Sequence, residues 1–423
     1  MTSGKRHVVI GTLDQTASSA SNVLMTIMVA RISTQSEFGL FSLILMAYAL
    51  TLGINRTLLS EPYTVWYGRF MDEEQSVSAA RTLGAFAAMT GFIMMVLTVI
   101  LLILFVGRPT QTASIVLLMC FPALAIQDFL RFVAFSWRRT DLALIGDGLW
   151  LGGVALAGAG ASVSVITTAT TVVAFWCASG VLSAAVLGAL LRRSRRLAGS
   201  ADHALSMAAC GVPAMLRQGR VAGLEYLVIA GGLQFAFYVA SAKLGVSSVA
   251  GPRGALLLLG PLTVLSMGIT QAIMPLAAAR SDGRSRVVSS MQLFFVASTA
   301  GLVGVLLCIP DQLGVQLLGA SWLPSKSVLF AIGSSSALVG MSIPLLMNIR
   351  VYRATHILFR RRVIVGILYP VAAALASPMG VQWFVWSLVG IQFLDTLVIW
   401  VTEWRLRPSR LGAIRPYYGM RFD

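Results

Sequence analysis

The sequence predicts an all-α polytopic membrane protein, with about twelve transmembrane helices in two six-helix lobes. Composition is the first observation, because 57% of the 423 residues are hydrophobic and only 11% are charged, whereas soluble domains carry about 25% charged residues. The second is a series of apolar segments of about 20 residues, each long enough to cross a hydrocarbon core of roughly 30 Å as a helix. The third is the lack of the alternating polar pattern that barrel strands require.

Twelve apolar segments follow one another along the chain, and each predicts one helix. The first six are 8–32, 38–60, 83–106, 112–135, 142–162 and 164–191. The last six are 214–240, 247–274, 287–309, 325–347, 361–378 and 381–403. The first and the seventh contain several polar residues, which indicates faces that avoid lipid. Prolines inside four of the spans predict bends, at Pro122, Pro261, Pro344 and Pro370.

Basic residues fall mainly in alternate loops, and this asymmetry predicts the orientation in the membrane. About 23 of the 32 Lys and Arg lie on one side, against about five on the other. The larger group includes Lys5, Arg6, Arg138, Arg139, Arg192–Arg196, Arg360–Arg362 and the basic tail from Arg405, and the smaller one is Arg31, Arg108, Lys243, Arg253 and Lys326. The pattern predicts a multi-pass membrane protein with both termini cytoplasmic, and the localisation expected for it is the bacterial plasma membrane.

The formal net charge of +16 does not require a nucleic-acid partner. Anionic lipids of the inner leaflet attract basic loops, by about 1 kcal/mol per residue near the surface. Membrane lipids are therefore the expected partners of these charges.

The two halves of the chain resemble each other weakly at an offset of about 212 residues, which is half of 423. The matched pairs are Asp14 with Glu225, Arg31 with Lys243, Gly39 with Gly251 and Pro62 with Pro275. We therefore predict an N-terminal lobe over residues 1–196 and a C-terminal lobe with a basic cytoplasmic tail over residues 197–423. Six spans in each half give both lobes the same orientation, related by a pseudo-two-fold axis along the membrane normal. Duplicated bundles of this kind commonly transport by alternating access.

Charged residues inside the spans predict a polar cavity between the lobes. In span one, Asp14, Ser18, Ser21 and Asn22 fall on one helical face. In span seven, Arg217 and Arg220 lie about 60° apart around the helix, with Glu225 on the neighbouring flank. A charge near the bilayer centre costs roughly 2.5 to 3.5 kcal/mol, so it normally faces protein, water or a ligand.

Further charges extend this predicted site. They are Arg56 and Glu61 near the end of span two, Asp128 and Arg131 in span four, and Asp395 in span twelve. An excess of arginine favours the binding of an anion, and the planar guanidinium, with its paired N–H donors, suits a phosphate. Asp14, Glu225 and Asp395 are candidates for coupling to sodium ions or protons. Alternatives stay open: Glu61 and Asp128 could form structural pairs, Arg131 could anchor the cytoplasmic mouth, and Arg31 could reach the outer interface.

No metal, haem or other cofactor site is predicted. The four cysteines are widely spaced without a C-x-x-C pair, and the three histidines are isolated near span ends. The sequence contains no Walker A motif, so ATP is not the direct energy source.

Four stretches together resemble one family of transporters. VARISTQSEFGLFSLILMAYAL, with its A-R and E-F-G before an apolar helix, is similar to the signature of the polysaccharide-type flippases in the multidrug/oligosaccharidyl-lipid/polysaccharide (MOP) exporter superfamily. NRTLLSEPYTV resembles their end of span two, QDFLRFVAFSWRRTDLALIGDGLW their spans four and five, and LLGASWLPSKSVL their L-G-x-x-W element. The resemblance covers nearly the whole chain.

This resemblance implies a flippase that moves a polyprenyl-diphosphate-linked oligosaccharide from the cytoplasmic to the outer leaflet by alternating access. By motif position, the cationic residues that hold the lipid diphosphate fall on Arg31 and Arg56. The implied partners are the polyprenyl-linked glycan and a glycan polymerase or other assembly machinery, and a monomer is expected.

Three other functions remain open from the sequence alone. A cation-coupled multidrug exporter of the same superfamily needs a cavity richer in acids than in bases, because its substrates are mostly cationic. Another secondary transporter of the other major twelve-helix class should carry a G-x-x-x-D-R-x-G-R-R turn, which WYGRFMDEEQS lacks. A membrane enzyme should have a large outer loop with catalytic carboxylates, and every predicted outer loop is short. We therefore expect a transporter and not an enzyme.

Overall fold

The computed structural model describes residues 3–70, 73–107, 111–163, 167–197, 211–262, 284–351 and 355–406, and every regular element in these ranges is helical. We number the α-helices in chain order. The first half contains α1 (Ser3–Ile32), α2 (Gln35–Asn55), α3 (Glu61–Phe70), α4 (Glu73–Phe105), α5 (Thr112–Ser136), α6 (Thr140–Ser162) and α7 (Ala169–Leu197). The second half contains α8 (Val212–Leu244), α9 (Ala250–Leu258), α10 (Arg284–Cys308), α11 (Asp311–Leu318), α12 (Trp322–Val351), α13 (Thr355–Ala376) and α14 (Val381–Leu406).

The predicted all-α membrane fold is confirmed. In the described ranges, 10 helical segments are long and apolar enough to cross a membrane, and they correspond to ten of the predicted spans. The first span forms the 30-residue helix α1 but is not among them, because its polar face lowers its hydropathy. The eighth span begins in α9, and its part beyond residue 262 lies outside the described residues, as do Pro275 and the tail from residue 407.

Helix packing repeats between the two halves. In the first half α1 packs on α6, α4 on α5, α5 on α7, α6 on α7 and α2 on α5. In the second half the equivalent pairs are α8 with α13, α10 with α12, α12 with α14, α13 with α14 and α9 with α12. Each pair is shifted by six spans, which fits two lobes of the same orientation. The lobe boundary at residue 196 stays a prediction.

The two lobes meet along a seam formed by α2 and α8. We call the end of the bundle where α1 ends and α2 begins the outer end, and the opposite end the inner end. Near the outer end Gly39 lies against the Val246 backbone. Further inward Gln234 Nε2 donates to the Leu43 carbonyl at 2.9 Å. The seam therefore continues over several turns, and a side chain larger than hydrogen at position 39 would collide with the other lobe.

A π-helical turn at Arg56–Ser60 joins α2 to α3, so the second span runs on to Tyr67 as one 33-residue helical segment. The sequence predicted that this span ends at residue 60. The helix continues because the wider turn accommodates Pro62, which has no N–H to donate to the preceding turn. The carbonyls of Thr57 and Leu58 face Gly219 of α8 across the seam.

Gly219 lets the backbones of the two lobes approach closely at this turn. A Cβ at this position would lie 2.5 Å from the Leu58 carbonyl oxygen. We expect Gly219→Ala to lower the thermal unfolding midpoint of the purified protein, by an amount equivalent to about 1–3 kcal/mol of overpacking. The matched control is Gly304→Ala in α10, where nothing lies within 4 Å of the added Cβ. That substitution should stabilise its helix by up to about 1 kcal/mol, and equal effects of the two changes would contradict close packing at Gly219.

The family-like motifs have structural roles at the outer end. In E-F-G, Glu37 completes a capping box with Thr34, and Phe38 is fully buried. In L-G-x-x-W, Gly319 has a left-handed backbone (φ 57°), and a Cβ there would lie 2.6 Å from the Arg31 carbonyl oxygen. The buried Trp322 donates its indole N–H to Asp311 at 3.0 Å. Gly319 therefore contributes to the contact between the lobes, whereas the capping box and the Trp322 hydrogen bond each lie within one lobe.

Candidate functional site

A buried charge cluster occupies the interior of the first lobe. Arg131 of α5 lies 2.7 Å from Asp14 of α1 through Nη2, 2.9 Å from Asp147 of α6 through Nε, and 3.7 Å from Asp128 through Nη1. Arg56 binds Asp128 with both arms of its guanidinium, at 2.6 and 2.9 Å. The cluster therefore ties α1, α5 and α6 to the π-helical turn after α2.

Arg56 is the most accessible member of this cluster. Its side chain is 31% exposed, compared with 4% for Arg131 and 3% for Asp128. Gly53, one turn before Arg56, packs against the ring of Tyr226 of α8, so Arg56 lies beside the seam between the lobes. Two arms of the guanidinium bind Asp128, and the exposed remainder can still bind another group.

The polar face of α1 points into its own lobe and not toward the second lobe, which corrects the predicted cavity between spans one and seven. Asp14 and Ser21 are fully buried, and Ser18 is 8% exposed. Ser21 and Asn22 donate to the Ser18 carbonyl at 2.9 and 3.1 Å. The face is buried because Asp14 binds Arg131, which lies on α5 of the same lobe.

A second charge cluster lies in the C-terminal half. Arg362 of α13 binds Asp395 of α14 with both arms, at 2.7 and 2.8 Å, and binds Glu225 of α8 at 2.6 Å. Its side chain is 13% exposed. The sequence placed Arg362 in a cytoplasmic loop, but α13 begins at Thr355 and carries it inward. Burial near two carboxylates, which supply the opposite charge, is more favourable for this guanidinium than burial alone.

The two clusters are related but not identical. Asp14 and Glu225, which the repeat pairs by sequence, each bind a buried arginine. In the first lobe the arginine is Arg131, on the fourth span, and in the second lobe it is Arg362, on the fifth span. Each cluster contains one more carboxylate than guanidinium among the described residues, so neither has the excess of positive charge that the sequence predicted for the interior.

Arg217 and Arg220 do not join either cluster, which corrects their predicted position in a shared cavity. Both are exposed in the first turns of α8. Leu224 and Leu227 of the same helix are 43% and 41% exposed, and both lie within about 80° of Arg217 around the helix. The two arginines therefore lie with exposed leucines on a face of α8 that is outside both buried clusters.

Two other predicted residues lie at the ends of helices. Arg31 is exposed in the last turn of α1, which fits the alternative that it reaches the outer interface. Glu61 is exposed at the start of α3. Neither is part of the buried clusters.

Arg253 is a half-buried arginine that sequence analysis assigned to an outer loop. It lies in the first turn of α9, and its Nε is buried with no hydrogen-bond acceptor in the described part of the chain. Gly260, two residues after the end of α9, lies near Val23 of α1. Gly251, on a different face of α9, packs on Pro324 of α12. Because α9 also contacts α1 and α2, Arg253 lies in a helix at the interface between the lobes, near the outer end.

Three residues of the clusters and of the lobe interface were not predicted from the sequence, for different reasons. Asp147 is an acid inside an otherwise apolar span, a signal that was present because such acids rarely face lipid. Arg362 was hidden in a run of three arginines at a predicted span boundary. Arg253 lies so close to a span end that sequence could not separate a loop position from a helical one.

The fold is similar to solved transporter structures, although no protein-family model and no curated protein sequence matches the chain. One is a multidrug resistance MATE family transporter of the MOP superfamily in its inward-facing conformation, with a TM-score of 0.71 and 14% identity over 94% of this chain and 96% of that chain. A multidrug resistance MATE family transporter of the MOP superfamily in its outward-facing conformation gives a TM-score of 0.63 and 13% identity. The match covers 97% of this chain and 96% of that chain. The lipid II flippase MurJ in an inward closed conformation gives a TM-score of 0.68 and 11% identity. The match covers 95% of this chain and 91% of that chain.

Proposed function

We propose that this chain, which has the fold of the MOP superfamily of transporters, is a flippase for a polyprenyl-diphosphate-linked oligosaccharide. In this proposal the protein moves the lipid from the cytoplasmic to the outer leaflet of a bacterial plasma membrane, with both termini in the cytoplasm. It is a transporter and carries out no chemical step on the substrate. A glycan polymerase or other assembly proteins would use the translocated lipid, and the monomer is the working unit.

Arg253 is the observation that carries the proposal. It is an arginine of α9, a helix that contacts α1 and α2 of the first lobe, and its Nε has no acceptor in the described part of the chain. Leaving a guanidinium donor buried and unmatched costs free energy unless an anion or water arrives to bind it. A diphosphate group supplies several oxygens in the geometry that the guanidinium fork accepts. Arg253 is therefore suited to bind an anionic head group that moves between the lobes.

Arg56 supplies a second cationic contact at a different depth. It lies 21 residues after Gln35, about 30 Å along the helix from the outer end, whereas Arg253 lies within the first turn of α9 at that end. Arg56 remains partly exposed although it binds Asp128. We propose that the diphosphate contacts Arg56 first, from the inner side, and Arg253 after the lobes have moved.

A path between the lobes would lower the large electrostatic barrier to moving the charged head group across the membrane. An isolated ion transferred to a low-dielectric medium costs tens of kcal/mol by Born estimates, and sugar hydroxyls without partners add to this cost. A wet path between the lobes would keep the head group solvated while the prenyl chain stays in lipid. Contacts between the lobes at the outer end, at Gly39 and Gly319, and the higher similarity to an inward-facing structure support a conformation that receives substrate from the inner side.

Ion coupling through Asp14, Glu225 or Asp395 remains part of the proposal. In this conformation each of these acids binds an arginine. Since each cluster has one carboxylate more than guanidinium, a proton or sodium ion would balance its charge. Such neutralisation could weaken the hold of Arg131 or Arg362 and so change the packing of α1 or α13.

A cation-coupled multidrug exporter is the alternative that one observation favours. The excess of carboxylates in both clusters is the charge balance expected for cationic substrates, and it is the reverse of the sequence-based expectation. Against it, Asp14, Asp128, Asp147 and Asp395 are all at most 3% exposed in their side chains, so they are poorly accessible to a large cation.

We expect Arg253→Ala to slow flipping roughly ten- to hundredfold, because a hydrogen bond to a charged group contributes about 1.5–3 kcal/mol. The assay uses proteoliposomes that contain a polyprenyl diphosphate with a short fluorescent oligosaccharide. A membrane-impermeant quencher then reports the fraction of the label on the outside over time. Arg253→Lys should keep part of the rate, because it retains the charge without the planar fork.

Arg217→Ala is the matched control for this experiment. The sequence placed Arg217 in the substrate cavity, but the structure places it on the face of α8 that carries exposed leucines, so its removal should leave the flipping rate near that of the unmodified protein. Normal flipping by Arg253→Ala in correctly folded protein would refute the role of Arg253. Uptake of a cationic dye without any movement of the lipid diphosphate would favour the multidrug exporter.

A further inference from the structure

A groove with a volume of about 690 Å³ opens on the first lobe, away from the seam between the lobes. Its floor is α5, and its walls are α4 and α7, both of which pack on α5. The walls are formed mainly by small residues, including Gly84, Ala85, Gly188 and Ala189. Small residues at such spacing usually let helices pack closely in a membrane. Here they leave a channel over α5 that a flexible chain could fill.

The length of the groove is close to the thickness of one leaflet. It extends from Val77 to Ala88 along α4 and from Arg192 to Val181 along α7. Eleven residues of helix correspond to about 16 Å, close to half of a hydrocarbon core of roughly 30 Å. Because Val77 and Arg192 lie near the inner ends of their helices, the groove begins at the level of the inner head groups and extends into the leaflet on that side.

Charge is confined to one end of the groove. Arg81 and Arg192 are both exposed and both line it at the inner end. Trp137 lies at the same end, where its indole N–H donates to Tyr63 Oη at 2.8 Å and to Ser76 Oγ at 2.9 Å. Tryptophan and arginine at this depth are typical of the level of lipid head groups. The rest of the lining is formed by Ala, Gly, Val, Leu and Ile.

We propose that this groove binds one anionic phospholipid of the inner leaflet, with an acyl chain over α5 and the phosphate beside Arg81 and Arg192. The apolar channel fits the chain, and the two guanidinium groups at its mouth fit the negative head group. The site is separate from the inter-lobe path, so it does not depend on the identity of the transported substrate. A bound lipid would hold α4 and α7 at a fixed spacing while the lobes move.

A second copy of the chain fits the groove less well than a lipid does. A two-fold dimer through this face, with its axis along the membrane normal, would place Arg81 and Arg192 of both copies at the same depth. The exposed Arg192 side chains of the two copies would then approach each other at the interface, which is unfavourable. The charge at the mouth of the groove therefore favours an anionic lipid as the occupant.

Native mass spectrometry of the full-length protein, titrated with phosphatidylglycerol or phosphatidylcholine, tests the proposal. We expect the unmodified protein to bind phosphatidylglycerol more tightly. The double variant Arg81→Gln/Arg192→Gln should weaken this binding roughly ten- to thirtyfold, from the contribution of about two basic residues near the membrane surface. Ala185→Phe, which places a ring in the groove, should weaken the binding of both lipids.

Two control variants distinguish this groove from general lipid contact. Arg193→Gln removes a neighbouring exposed arginine, and Leu182→Phe enlarges an exposed residue of the same helix; neither residue lines the groove. Both should bind phosphatidylglycerol as the unmodified protein does. Unchanged binding by the folded double variant, unchanged binding by Ala185→Phe, or a lipid-free dimer that Ala185→Phe dissociates would each overturn the proposal.

Discussion

Arg131→Gln is expected to destabilise the protein more than any other single substitution considered. Removing one partner of a buried ion pair typically costs about 3–5 kcal/mol, because the remaining charge is left uncompensated. Arg131 is 4% exposed, and its guanidinium lies within 3.7 Å of Asp14, Asp128 and Asp147. Its loss would leave Asp14 and Asp147 buried without a positive partner. We expect a large loss of monodisperse protein and a strongly lowered thermal midpoint in detergent.

Arg139→Gln is the matched control for this prediction. Arg139 also pairs with an aspartate, Asp141 at 3.1 Å, but both side chains are at least 40% exposed, and surface pairs contribute only about 0–1 kcal/mol. A triple variant, Arg131→Gln with Asp14→Asn and Asp147→Asn, should recover part of the stability, because it removes the charges together. Equal behaviour of the Arg131 and Arg139 single variants would show that the buried cluster does not stabilise the lobe.

Arg362→Gln is expected to have the second largest effect. Arg362 is the positive residue between Glu225 and Asp395, and all three side chains are at most 13% exposed. Without it, two carboxylates on different helices face each other in a buried position, so α8 and α14 should separate from α13. We expect a loss of about 3 kcal/mol or more, measured as the decrease in the thermal unfolding midpoint.

The neighbouring arginine provides the control. Arg361 donates to Thr402 Oγ1 at 2.7 Å but has no carboxylate partner in the described part of the chain, so Arg361→Gln should have a much smaller effect. Combining Arg362→Gln with Glu225→Gln and Asp395→Asn should restore most of the midpoint. If this neutral triple variant were as unstable as the single variant, packing of the Arg362 stem and not its charge would explain the effect.

Much of the fold could be predicted because the lipid environment restricts the choices. A helix must satisfy its backbone groups within each span, so length and hydropathy alone placed ten of the spans now seen as apolar helices. Span ends were harder to predict. The second span continues through Pro62 by way of a π-helical turn, and α13 begins before its three arginines, because local backbone geometry and buried ion pairs outweighed the composition of these segments.

The candidate site could be predicted only in part. Arg56, Asp128, Arg131 and Asp14 were predicted as charges inside the spans, and they form one cluster. Their roles in substrate binding or ion coupling stay predictions. Hydropathy reports that a charge needs a partner, but it does not say which one. Arg217 and Arg220 have the same residue type and a similar depth, yet they lie on a face with exposed leucines.

The sequence by itself determined that this protein is a helical membrane protein with a repeated architecture, since both properties follow from periodic apolar composition and from a fixed offset between matching residues. Only the tertiary structure decided how its charges are paired. Helical spacing fixes the face on which a side chain lies, whereas the helix that covers that face depends on packing between segments more than 100 residues apart, as with Asp14 and Arg131. Those pairings leave Arg253 as the half-buried guanidinium whose Nε lacks an acceptor in the described part of the chain.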